Sequence, residues 1–235
     1  MQTFQQFLLI APILLFSVIA HEIAHGWAAL KQGDRTALDA GRLTWNPRPH
    51  IDPFFTILLP IMTIAGSVAA GGRPMVFGGA RPVPVDPRNY RHLKRGDIIV
   101  SLAGVATNAL ILLGCVALFA LTGALGRVAP SLLGTLGVAQ AMCYIGVQLN
   151  ALLIAFNLLP IPPLDGSHVF KYLLPAPLAV QYVRLGRFGF IVLIVLLSWG
   201  ERILSAWMSP FFSVADSVLA LAQSSLLPTT VQWVR

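Results

Sequence analysis

The chain has 235 residues, of which 56% are hydrophobic and 11% charged, with a mean hydropathy of +0.76. A soluble domain carries about 25% charged residues, so this composition is that of a membrane protein with no room for a separate soluble domain. The formal net charge of +7 does not point to nucleic acid, because the basic residues gather between apolar segments, as they do in cytoplasmic loops.

In chain order, the pattern predicts an all-α polytopic membrane protein with five or six apolar segments. Met1–Gln6 lacks the positive start of a cleaved signal peptide. The first apolar segment, Phe7 to Leu30, runs without a break into His21-Glu22-Ile23-Ala24-His25. The second, Pro53 to Ala70, is interrupted by Pro60 and Gly66 and is flanked on both sides by Lys and Arg. Both flanks then belong in the cytoplasm, which predicts a re-entrant segment rather than a crossing. Phe77-Gly-Gly-Ala-Arg-Pro-Val-Pro-Val85 carries prolines that forbid a central strand and suit a short edge β element. The remaining apolar segments are Ile98 to Thr122, Leu132 to Leu159, Arg184 to Trp199 and a weaker Ile203 to Leu221, whose crossing is left open. Cys115 and Cys143 lie in apolar runs and read as packing residues. With the N-terminus outside, the first helix runs inward, and the fourth segment delivers Asn157 to Gly166 to the same end as His21 and His25.

Side chains four apart share one helix face, so His21 and His25 can reach one metal ion. Glu22 projects about 100° around the axis, placed to hold a water beside that ion rather than bind it. Ionisable groups at membrane depth mark functional sites. Catalytic zinc takes three protein ligands and keeps one position open. Asp165 is the candidate third ligand: Pro160, Pro162 and Pro163 stop the fourth helix, and Gly166 allows a sharp turn beyond it.

HEIAH together with Asn157-Leu-Leu-Pro-Ile-Pro-Pro-Leu-Asp165-Gly166 resembles the site-2 protease family of intramembrane zinc metalloproteases, in a compact form without PDZ or CBS domains. Ala103-Gly-Val-Ala-Thr-Asn108 is similar to that family's Ala-Gly-Pro-x-x-Asn element, with Val105 where proline is usual. The resemblance implies one protease domain over 1–235, with a catalytic core of about 7–171 and C-terminal helices at about 184–222. It implies that His21, His25 and Asp165 bind Zn2+ and that Glu22 is the general base. Asn157 would contact the substrate backbone or oxyanion, Asn108 would make a weaker polar contact, and the Phe77–Val85 edge would pair with unwound substrate.

The implied activity is hydrolysis in or near the transmembrane helix of a single-pass membrane protein, either a regulator or a signal-peptide remnant. The implied setting is the lipid bilayer of a bacterial inner (plasma) membrane, with the active site nearer the cytoplasm and no nucleic acid partner. Selection would use the membrane core or a regulatory membrane partner. The alternative is a catalytically silent relative that binds transmembrane segments as adaptor or chaperone. Among the other polar residues, His168 reads as an interfacial imidazole, His50 and His92 as solvated, Asn150 as interhelical glue, and the tryptophans as interface anchors.

Overall fold

The computed structural model describes residues 2–58, 61–62 and 79–234. Its long helices are α1 (Gln2–Gln32), α2 (Leu93–Val128), α3 (Leu133–Asn157) and α7 (Glu201–Ala220). Between α3 and α7 come the short α4 (Asp165–Phe170), α5 (Ala176–Leu185) and α6 (Gly189–Trp199). Five stretches, counting α5 and α6 together, are long and apolar enough to cross a bilayer. Most of Pro53 to Ala70, and with it the expected re-entrant path, lies outside the described residues. Only the π-helical turn Pro53–Leu58 and residues 61–62 are described there.

α2 lies against both α1 and α3. It is a single unbroken helix of 36 residues, so Val105 introduces no break. Asn150 is the glue between α1 and α3, donating to Ser17 Oγ at 3.0 Å and to its own Gly146 carbonyl at 2.9 Å. Small residues let the helices approach; a Cβ on Gly146 would meet Cys115 Sγ at 2.6 Å.

The sixth apolar segment forms α7, which runs antiparallel to α3. Trp207 Nε1 donates to the Ala155 carbonyl at 2.8 Å, and Gln148 donates to Asp216 at 2.8 Å. Beyond α7, buried Gln140 donates to Ser225 O at 2.8 Å and to Phe119 O at 3.0 Å and accepts from Leu227 N and Thr230 Oγ1, which ties the chain to the far ends of α2 and α3. Trp207 is therefore an interhelical contact.

α5 and α6 follow the end of α3. Tyr182 on α5 donates to the Pro160 carbonyl at 3.0 Å, and Gly189 at the start of α6 packs on Pro162. Trp199 then leads at once into α7. Taken together, Ala176–Trp199 is one of the five stretches long and apolar enough to cross.

The expected edge β element does not form a strand among the described residues: 79–85 is irregular backbone with no partner strand. Pro82 and Pro84 withhold the donors that a ladder needs. The segment is instead moored to its surroundings. Arg81 N donates to the His50 carbonyl at 2.8 Å, and Arg42 donates to the carbonyls of Arg81 and Pro82 at 2.8 and 3.3 Å. His50 is not solvated as expected; it is 2% exposed and its Nε2 lies 3.0 Å from the Thr44 carbonyl.

Just past α1, the fully buried Asp34 accepts from Thr36 N (3.1 Å), Thr36 Oγ1 (2.5 Å), Asp86 N (2.7 Å) and Asn89 Nδ2 (2.9 Å). Burial opposes ionisation of this carboxyl, but the donors from Thr36, Asn89 and Asp86 hold it below the usual carboxylate range.

Candidate active site

His21 and His25 stand one helical turn apart on α1, and both are largely shielded from solvent. Asp165 opens α4, which starts where the prolines end α3. The carboxylate could have capped that helix, but Leu164 occupies the cap position without any side-chain bond. Asp165 turns to α1 instead, with Oδ2 at 3.2 Å from His21 Nε2 and 3.4 Å from His25 Nε2. The two Nε2 atoms approach to 2.9 Å. Burial alone would raise the Asp165 carboxyl, yet the two imidazoles hold it well below the ordinary range.

These three ligand atoms fit a metal. Tetrahedral zinc with ligands at about 2.0–2.2 Å keeps them about 3.3–3.6 Å apart, so only the two imidazoles would need to separate slightly. His25 Nδ1–H donates to the Val100 carbonyl at 2.7 Å, which leaves the Nε2 lone pair facing inward. Asp165 Oδ2 is buried with no hydrogen-bond partner among the described residues, an orphan that a cation would satisfy. Among the described residues, His21, His25 and Asp165 are the group of three whose ligand atoms lie within 4.8 Å of one another.

The helices must come close to make this pocket. A Cβ on Gly104 of α2 would sit 2.5–2.6 Å from three atoms of the His21 ring. Glycine is what lets α2 lie against the imidazole there.

A cavity of about 520 Å3 opens on the cluster, with Glu22, Asn108, Asn157 and Leu193 among its walls. Glu22 does not join the three-residue group; its Oε2 accepts the Val83 N–H at 2.7 Å, bringing the 79–85 segment beside the cluster. Asn108 is 0% exposed, and neither its Oδ1 nor its Nδ2 has a partner among the described residues. Asn157 is less free, since its Nδ2 donates to the Leu153 carbonyl one turn back at 2.9 Å. His168 lines the cavity but faces Asp97 at 3.2 Å and stays out of the ligand set.

The sequence reading passed over three contributors. The Val100 carbonyl and the Val83 N–H are backbone groups, which carry no residue signature. Asp97 follows Lys94 and Arg95 and so looks like loop charge.

The model for Peptidase family M50 matches residues 127–197, a span that includes the Asn157–Gly166 stretch. Over 183 residues the chain is 38% identical to "Putative zinc metalloprotease YwhC" of Bacillus subtilis (strain 168), covering 78% of this chain and 77% of that protein. It is 32% identical over 192 residues to "Putative zinc metalloprotease Rip2" of Mycolicibacterium smegmatis (strain ATCC 700084 / mc(2)155), covering 81% and 67%. No solved structure matches the chain. The chain belongs to Peptidase family M50 and is an integral membrane metalloprotease of the site-2 type.

Proposed function

We propose that this protein hydrolyses a peptide bond in or near the transmembrane helix of a membrane-anchored protein, using zinc held by His21, His25 and Asp165. The observation that carries the reading is the convergence of two Nε2 atoms and one carboxylate oxygen at 2.9–3.4 Å, drawn from helices far apart in sequence. Zinc bound there would supply a Lewis acid that lowers the pKa of a water to about 7 and polarises the scissile carbonyl. Glu22 accepts a proton from the attacking water as the carbon–oxygen bond forms, and returns it to the amine as the carbon–nitrogen bond breaks. The Val83 N–H on Oε2 holds that carboxylate in place and leaves Oε1 for the proton.

Asn108 offers unpaired donor and acceptor groups to the unwound substrate backbone. Asn157 can join it, or steady the oxyanion, after turning away from Leu153. The 79–85 segment takes the substrate alongside as a backbone partner.

The substrate class is a single-pass membrane protein, either a regulator or a signal-peptide remnant, and a membrane partner can govern its delivery. The setting is the bacterial plasma membrane with the site nearer the cytoplasm. The basic residues Lys31, Arg35, Arg42 and Arg48, which follow the His21–His25 turn in sequence, support that sidedness.

The test is metal content and cleavage of a transmembrane peptide by the purified protein, Glu22→Gln and Asp165→Asn. The expected result is that Glu22→Gln keeps zinc and loses about 10²–10⁴-fold in rate, while Asp165→Asn holds zinc poorly. Equal activity in all three proteins refutes the mechanism.

A further inference from the structure

The geometry points to Asp97 as a positioning residue: a buried carboxylate on α2 that fixes where α4 presents Asp165. The inference rests on the metal site proposed above and adds a residue outside its ligand set.

α4 cannot place itself. It has six residues, begins without a side-chain cap, and is preceded by Pro160, Pro162 and Pro163. A helix of that length has no stability of its own and takes its position from tertiary contacts. Gly166 packs on the Leu158 and Leu159 carbonyls and Phe170 meets the Tyr182 ring, while the polar contacts to α2 converge on Asp97, which is 3% exposed. Its Oδ1 lies 3.2 Å from His168 Nδ1, and its Oδ2 meets Lys171 Nζ at 2.5 Å and accepts from Tyr172 Oη at 3.0 Å. His168 is on α4, and Lys171 and Tyr172 are on the turn that follows. Lys171 Nζ also lies 5.0 Å from the centre of the Tyr172 ring, and Lys94 Nζ on α2 lies 5.6 Å from it.

The same face of α2 serves the other ligands. Asp97, Val100, Gly104 and Asn108 follow one another at three- and four-residue steps, so they share a stripe. Val100 fixes the His25 ring through its carbonyl, and Gly104 receives the His21 ring. Asp97 brings the third ligand to the same ruler. A buried carboxylate is costly, and three polar partners from the ligand-bearing segment offset that cost. Groups that orient metal ligands typically change metal affinity or activity by about 10- to 100-fold when removed.

The experiment compares the full-length protein with Asp97→Asn and with the double variant Asp97→Asn/Lys171→Met, all in detergent. Zinc affinity is read by competition with a chromophoric chelator, and the melting temperature of each protein is read with zinc removed. Asp97→Asn is expected to bind zinc about 10- to 100-fold more weakly. The double variant, which carries no unpaired charge, is expected to recover the metal-free melting temperature while zinc affinity stays low. Zinc affinity equal to wild type in Asp97→Asn overturns the proposal, as does recovery of affinity together with stability in the double variant. If the wild-type protein binds zinc and only the Asp97 result fails, the metal site stands and the positioning role falls. If the wild-type protein binds no zinc, both fall.

Discussion

Replacing Gly104 with alanine pits helix propensity against the metal site. In a helix interior alanine is favoured over glycine by about 0.8–1.0 kcal/mol, so on local grounds the substitution should stabilise α2. The new methyl carbon would, however, lie 2.5–2.6 Å from three atoms of the His21 ring. Ordinary contact begins near 3.4 Å, so the ring or the helix has to retreat by about 0.8–0.9 Å, the difference between the two distances. Metal–ligand distances tolerate about 0.2 Å, which the retreat exceeds several-fold. Overpacking of this kind costs about 1–3 kcal/mol, equivalent to about 5- to 150-fold in binding.

Gly104→Ala should therefore bind zinc about 5- to 150-fold more weakly by chelator competition, with cleavage falling at least as far. Its melting temperature with zinc removed should change far less, because the helix gain and the contact penalty oppose each other. Zinc affinity at the wild-type level together with a higher melting temperature would refute the argument that Gly104 makes room for a ligand.

Asn108→Leu, close to asparagine in shape, removes two buried polar atoms that have no partner among the described residues. Thermal stability should hold or rise, while kcat/KM falls about 5- to 150-fold because a substrate group loses its partner at a cost of about 1–3 kcal/mol. Unchanged kcat/KM across a set of transmembrane peptides would remove Asn108 from the substrate site. Asp34 sets an acid limit on stability, since its folded-state pKa is depressed. Its contribution is complete above the unfolded value of about 3.9 and is lost as pH falls through the lower folded value. Melting temperature should drop steeply below about pH 4, and Asp34→Asn should flatten that fall while lowering stability at neutral pH; parallel curves for the two proteins would contradict this account.

The candidate metal site was legible because its residues declare themselves. His21 and His25 are conspicuous inside an apolar run, and Asp165 stands after prolines that must end a helix. The supporting contacts were hidden for physical reasons. Val83 and Val100 act through backbone groups, which any residue would supply. Asp97 becomes visible only when α4 folds back against α2 and brings Lys171 and Tyr172 to it. The edge element does not form: prolines suit a sheet edge, but without a neighbouring strand among the described residues no ladder forms, and side chains such as Arg42 and Glu22 take up the backbone instead.

That proline-interrupted stretch has a polarity of its own. Arg81 and Val83 spend their amide protons on His50 and Glu22. Pro82 and Pro84 have no amide proton to give, and the carbonyls of Arg81 and Pro82 are already taken by Arg42. With its donors spent or missing, the stretch is a poor template for pairing with another copy of itself.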